Sequence, residues 1–425
     1  MPLFSKYLDL ELRNSILKKE NLKEKTERTP KALLIYLILG IYAYLMNVPG
    51  PIIGYLRQQF QMNYTLASLH FSAFAAGMVL VGLFGGRLLR RISYWKAVGL
   101  GCLGMGLGGL ALSYGPSAIV TVSGLFLMGL VGTLILSVYP AVLDEEMGQH
   151  SSVGIAEANG FSSILSALAP LAVGFAAAKL NSWRPAVLIG VVIAMALGIW
   201  LFFFSGSKKQ EQAKASNPLG KANLPKKFWG YWLAQVLSVS IEFCTIYWSA
   251  EYLAKVFALD QALATQLVSL FLIGMVVGRF GGGSLIQRLR PQKVLVGNVI
   301  VGMIGFSLYW LQTNTIIALI GLFFLGVGVS MLYPAILSLE LEVAGEQKKM
   351  AGSRATLASG LAILLLPFTL ASLADRFGIQ AAFGIIAVLY GLLILTLLIT
   401  RQIKEGPLSS AASKTEPLIE KTELE

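Results

Sequence analysis

Long apolar runs, each about twenty residues, alternate along the chain with short polar or turn-rich breaks. The hydrocarbon core of a bilayer is about 30 Å thick and offers the backbone no hydrogen-bond partners. An apolar run of roughly 20 residues therefore crosses it as a helix. The pattern predicts twelve spans, at 32–54, 66–86, 95–113, 117–141, 154–178, 185–204, 228–250, 262–283, 293–311, 315–338, 351–373 and 379–400. Breaks such as Ser113-Tyr114-Gly115-Pro116 and Gln312-Thr313-Asn314 are short enough to make neighbouring helices antiparallel hairpins. The predicted fold class is an all-α polytopic membrane protein. Its parts are an N-terminal segment 1–31, a first bundle 32–205, a linker 206–227, a second bundle 228–400 and a tail 401–425. The linker, rich in Lys, Gln, Ser and Asn, is expected to be flexible, and the tail disordered.

Composition supports the membrane reading. Only 13% of residues are charged, 56% are hydrophobic and the mean hydropathy is +0.70, whereas soluble domains carry about 25% charge. The net charge of +12 lies in clusters flanking the runs and forms no solvated patch, which argues against a nucleic-acid partner. Twelve spans put both termini on one side. Of the 34 Lys and Arg residues, 29 then fall on that side, leaving Arg57, Lys179, Arg184, Lys255 and Arg376 on the other. The positive-inside rule makes the termini cytoplasmic. Cys102 and Cys244 both sit inside apolar runs, so they read as packing residues and not as a disulfide framework. No cleavable leader is expected.

Several function classes are excluded on motif grounds. No phosphate-cradling Gly-x-x-x-x-Gly-Lys-Ser/Thr loop is present. Two histidines and two scattered cysteines leave no expected metal site. No Ser/His/Asp cluster emerges, so neither an enzyme nor a cofactor is expected.

The two halves repeat each other. Gly77-Met78-Val79 recurs as Gly274-Met275-Val276, and at the same offset of 197 Gly85, Gly86, Leu88 and Arg91 match Gly282, Gly283, Leu285 and Arg288. Gly124-Leu125-Phe126 matches Gly321-Leu322-Phe323, and Pro170 matches Pro367. Tyr139-Pro140-Ala141 matches Tyr333-Pro334-Ala335 at an offset of 194. A parallel repeat of six helices builds two similar bundles with a cleft between them, and rocking one on the other exposes the cleft to each side in turn.

With six plus six spans, a long basic linker and a glycine–basic loop after spans two and eight, the chain resembles the major facilitator superfamily over residues 32–400. The loop runs Gly86-Arg87-Leu88-Leu89-Arg90-Arg91-Ile92-Ser93-Tyr94-Trp95-Lys96 and again Gly283 to Lys293. It departs from the family pattern at the acidic position (Arg90 and Gln287) and at the second glycine (Ser93 and Arg290). The resemblance implies two pseudo-symmetric six-helix bundles, with every third helix on the outside. Spans six and twelve, apolar all round, fit that placement. Gly104-x-x-x-Gly108 in span three lets another helix come close.

Span seven is different. Gln235, Ser238, Glu242, Thr245 and Ser249 recur at three- and four-residue steps and form one polar stripe, which favours a wet cavity over lipid. Asn159, Ser162 or Ser163, and Ser166 make a shorter stripe in span five. In span one Tyr44 and Asn47 share a face just before Pro49-Gly50-Pro51 interrupts the helix. All are expected to line the cavity. A carboxyl at the depth of Glu242 can load and release a proton near neutral pH, or simply bond a neighbouring helix. His70, near the outer end of span two, reads as an interfacial polar residue.

At the cytoplasmic side, Asp144-Glu145-Glu146 follows span four and Glu340-x-Glu342 follows span ten. Each faces the basic loop of its own half: Arg87, Arg90 and Arg91, or Arg279 and Arg288. These charges are expected to close a cytoplasmic gate, against the alternative of solvated surface pairs. Glu157 and Arg354, equivalent at the 197 offset, either pair across the bundle interface or serve their own helix ends. The function expected is secondary active transport of a small organic solute, proton- or gradient-coupled, by a monomer in a lipid bilayer, the bacterial inner membrane. The lining favours a neutral or weakly charged solute. The competing reading is a transport-inactive receptor or membrane-assembly factor, against which the intact span-seven stripe argues.

Overall fold

A computed structural model describes residues 28–89, 92–204, 224–288 and 291–403. The expected linker and tail fall almost wholly outside these residues, as do Arg90, Arg91 and the side chains of Arg87 and Arg288. Among the described residues, twelve helices are long and apolar enough to cross a membrane. They are α1 (Pro30–Phe60), α2 (Tyr64–Leu89), α3 (Tyr94–Tyr114), α4 (Ala118–Met147), α5 (Ser151–Leu180), α6 (Arg184–Phe204), α7 (Lys226–Val256), α8 (261–288), α9 (Pro291–Trp310), α10 (Thr315–Ala344), α11 (Lys348–Phe377) and α12 (Ile379–Gln402).

Local chemistry sets the ends. Thr29 caps α1 by accepting from Ala32 N, with Pro30 as its first residue. Asp260 caps α8 and Asn314 caps α10, each through a side-chain oxygen on the free amides of the first turn. α1 breaks at Val48, where Pro49 and Pro51 remove donors. The helices overrun their apolar runs. α4 reaches Met147 and so carries Asp144, Glu145 and Glu146, which were expected to follow it; α10 likewise carries Glu340 and Glu342, α1 carries Arg57 and α7 carries Glu251.

The repeat holds at the level of atoms. A Cβ on Gly77 in α2 would strike Phe126 O and Leu130 N of α4, and one on Gly274 in α8 would strike Phe323 O and Val327 N of α10. Each pair differs by 197. Gly124 lies against Gly108 O, and Gly321 against Gly305 O, both at 2.7 Å from the added Cβ. Backbones this close admit only glycine, so the same crossings recur in both bundles.

The bundles meet through α2 on α11 and α5 on α8, contacts that the pseudo-twofold exchanges, and through the second segment of α1 on α7. α6, α9 and α12 present apolar side chains outward, among them Ile189, Val192, Ile300, Ile304, Val388 and Leu395. α3 does not share that exposure. Its apolar stretch is 67% buried, against 39% for α6 and 33% for α12, because it packs on both α4 and α6 through glycines such as Gly104 and Gly108.

Candidate functional site

A cavity of about 180 Å³ lies where the two bundles face each other. Its wall takes Tyr42, Met46 and Asn47 from α1, Asn159, Ser162, Ser163 and Ser166 from α5, Glu242, Phe243 and Ile246 from α7, and Leu272, Met275 and Arg279 from α8. Asn47 donates to Ser166 Oγ at 3.1 Å and to Ala43 O at 2.8 Å, while its Oδ1 has no protein partner. Ser162 and Ser163 donate to Asn159 O, and Asn159 Nδ2 donates to Tyr139 Oη at 3.2 Å. Arg279 Nη1 donates to Ser163 Oγ at 2.6 Å across the bundle interface, and its Nη2 stands 3.9 Å from Glu242 Oε1.

Six of the sequence-predicted lining residues thus meet at the cavity: Glu242, Asn47, Asn159, Ser166 and both alternatives Ser162 and Ser163. The others do not. Tyr44 turns to α6 and donates to Ala186 O at 2.8 Å. Gln235, Ser238, Thr245 and Ser249 are buried in the second bundle and absent from the cavity wall. Ser238 bonds Gln235 O and Thr245 bonds Ile241 O within their own helix. Arg279, expected at a cytoplasmic gate, is instead a cavity residue. Tyr139, seen in the sequence only as a repeat signal, takes part through its hydroxyl, which accepts from Asn159. His70 is fully buried and bonds Thr121 Oγ1 at 2.9 Å, so it is a packing residue and not an interfacial one.

The bundle end opposite the termini is closed across the two halves. Arg57 of α1 pairs with Glu251 of α7 and lies 3.5 Å over the Tyr64 ring. Asp375 of α11 accepts from Tyr64 N and Thr65 N at the start of α2, both at 2.8 Å, a carboxylate on a helix N-terminus. Phe71 of α2 stacks on Tyr247 of α7 with ring centroids 3.9 Å apart. Neither Glu251 nor Asp375 was singled out in the sequence. Glu251 lies one residue past the apolar run, and Asp375 reads as a turn charge.

At the termini-bearing end the expected gate charges behave otherwise. Glu157 pairs with Arg28 at 2.5 Å and accepts from Tyr36 Oη at 3.0 Å. Glu146 binds Thr29 Oγ1 at 2.9 Å and Lys31 Nζ at 3.0 Å. Both acids are held by the start of α1 in their own bundle. Glu340 is fully buried, Glu342 is exposed, and the Arg354 carbonyl accepts from Trp232 Nε1 at 2.8 Å.

The Major Facilitator Superfamily family model matches residues 35–367. A glucose/galactose transporter of Brucella abortus (strain 9-941) is 25% identical over 379 residues, covering 82% of this chain and 88% of that one. The L-fucose-proton symporter of Escherichia coli K12 is 23% identical over 363 residues, covering 76% and 82%. Among solved structures, the nucleoside transporter NupG aligns with a TM-score of 0.70 at 11% identity over 88% of this chain and all of its own. The E. coli fucose:proton symporter FucP aligns at 0.59 and 18% identity with the same coverage. These structural likenesses show the fold.

Proposed function

The chain belongs to the Major Facilitator Superfamily, and from that membership we propose that it carries a monosaccharide-sized, polyhydroxylated solute together with a proton. It is a multi-pass membrane protein and a secondary transporter. The observation that carries the proposal is Glu242, an ionisable side chain at mid-span in α7 that lines the cavity between the two bundles. Intramembrane carboxyls facing a cavity mark proton and substrate paths.

The solute class draws on the names of the relatives, which are glucose/galactose and L-fucose-proton carriers. The wall is suited to it. Asn47, Asn159, Ser162, Ser163 and Ser166 offer hydroxyl-bonding groups on two helices, Phe243 and Ile246 offer apolar faces, and 180 Å³ suits one small ring. Alternation runs on the exchanged contacts α2–α11 and α5–α8, with the far end shut in the state described. The excess of 29 basic residues over five supports cytoplasmic termini in a bacterial inner membrane, and the chain works as a monomer in the lipid.

Reconstitution in proteoliposomes tests the reading. An inward proton gradient is expected to drive accumulation of at least one monosaccharide from a panel of glucose, galactose, fucose and glucuronate. Glu242→Gln is expected to abolish gradient-driven accumulation and retain counterflow. A Glu242→Gln protein whose uptake follows pH as the parent's does would remove Glu242 from coupling.

A further inference from the structure

We propose that the solute carries one carboxylate, which Arg279 binds once Glu242 has taken up a proton; this rests on the carrier reading above. Sixteen residues line the cavity, and only Glu242 and Arg279 among them are charged. A neutral polyol needs no cation, yet the Arg279 side chain, 39% exposed, stands in the cleft beside Glu242, 14% exposed. The guanidinium is also incompletely engaged. Among the described residues it makes one short bond, to Ser163 Oγ at 2.6 Å, and its distance of 3.9 Å to Glu242 is beyond hydrogen-bond range. These contacts occupy part of a planar fork with five donors, whose geometry matches a carboxylate held by two parallel bonds.

Charge balance then dictates the order of events. With Glu242 ionised the pair is neutral. An incoming carboxylate would leave two negative charges on one cation, an uncompensated charge in a low-dielectric site. A proton on Glu242 restores neutrality and frees the guanidinium for the solute. The other groups near Glu242 are phenols: Tyr42 on the cavity wall from α1, Tyr247 on α7 and Tyr333 from α10. Phenols ordinarily titrate near 10, so at neutral pH Arg279 is the one lining residue that offers compensating charge. One proton and one monoanion move together, and the step is electroneutral. Co-transport of a proton with a neutral sugar would instead carry net charge.

D-glucuronate and D-glucose, which differ by a carboxylate in place of a hydroxymethyl group, are the probes. In proteoliposomes an inward proton gradient is expected to drive glucuronate uptake, and a potassium–valinomycin potential at fixed pH to leave its rate unchanged. Arg279→Gln is expected to cut glucuronate uptake by about 30-fold or more, and Arg279→Lys, a point charge without the fork, by less. Thermal unfolding in detergent confirms that each variant is folded. Uptake of glucose without glucuronate, glucuronate uptake driven by the potential, or glucuronate uptake indifferent to Arg279→Gln overturns the proposal and leaves the carrier reading standing. If neither glucuronate nor any sugar of the carrier panel moves under any gradient, both readings fall.

Discussion

The two ends of the bundle use ion pairs in opposite ways. At the far end Arg57–Glu251 joins α1 of the first bundle to α7 of the second, and Asp375 of the second bundle sits on the N-terminus of α2 in the first. Glu251 is 2% exposed and Arg57 17%. At the termini-bearing end Arg28–Glu157 and Lys31–Glu146 lie within the first bundle, with Arg28 and Lys31 about half exposed or more. Pairs that cross the bundles must break whenever the far end opens, whereas pairs inside one bundle ride with it. At the positions equivalent to Glu146 and Glu157 stand Glu340 and Arg354, and the start of α7 packs there with Leu224 and Phe228 against Ala344 and Ala351.

The strongest break in this comparison is at Gly50. A Cβ there would lie 2.5 Å from Ile246 O and 2.9 Å from Tyr247 Cα, backbone atoms of α7 that cannot swing aside. Overpacking of this kind costs up to about 3 kcal/mol, or roughly 100-fold in the closed population. Gly50→Ala is expected to hold the far end open. Uptake should collapse, and a cysteine introduced as Ser166→Cys should become reactive to an impermeant maleimide added opposite the termini. Unchanged labelling would show that far-end closure does not need this approach.

A smaller effect is expected at Glu251. Glu251→Gln strands Arg57, which retains some solvent, so the loss is set at about 2 kcal/mol, below the 3–5 kcal/mol of a fully buried pair. Uptake should fall by roughly 30-fold. Adding Arg57→Gln should recover part of it by removing the stranded charge. A double variant no better than Glu251→Gln alone would mean that the pair is not the element holding the end shut.

The fold was legible because bilayer chemistry writes itself into long apolar runs, and the duplication into matched glycines such as Gly77 and Gly274. The site was legible only in part. Period and polarity found the face of α7 but not which of its residues face the cleft. Ser238 and Thr245 satisfy their hydroxyls on backbone carbonyls of their own helix, so they tolerate a dry interior. Glu242 has no such option and marks the wet edge. Arg279 lay inside a predicted span, at 262–283, yet was counted with the loop that follows it. An arginine within an apolar run is itself a cavity signal. Glu251 and Arg57 were missed because helices extend past their apolar stretches, and only coordinates show which overhangs meet.

The smallest expected effect sharpens the contrast from the other side. Lys31→Ala removes an amine that is 63% exposed and bonded to Glu146 at 3.0 Å. Glu146 keeps its bond from Thr29 Oγ1 at 2.9 Å, and Thr29 still caps α1. Exposed pairs of this kind contribute little and are screened by salt, and this one spans no moving interface. Uptake is therefore expected to stay within about two-fold of wild type, with no change in labelling of the Ser166→Cys reporter. A shift in that labelling as large as the one from Glu251→Gln would show that the start of α1 takes part in switching. The distinction between pairs that cross the bundles and pairs that ride with one would then fail.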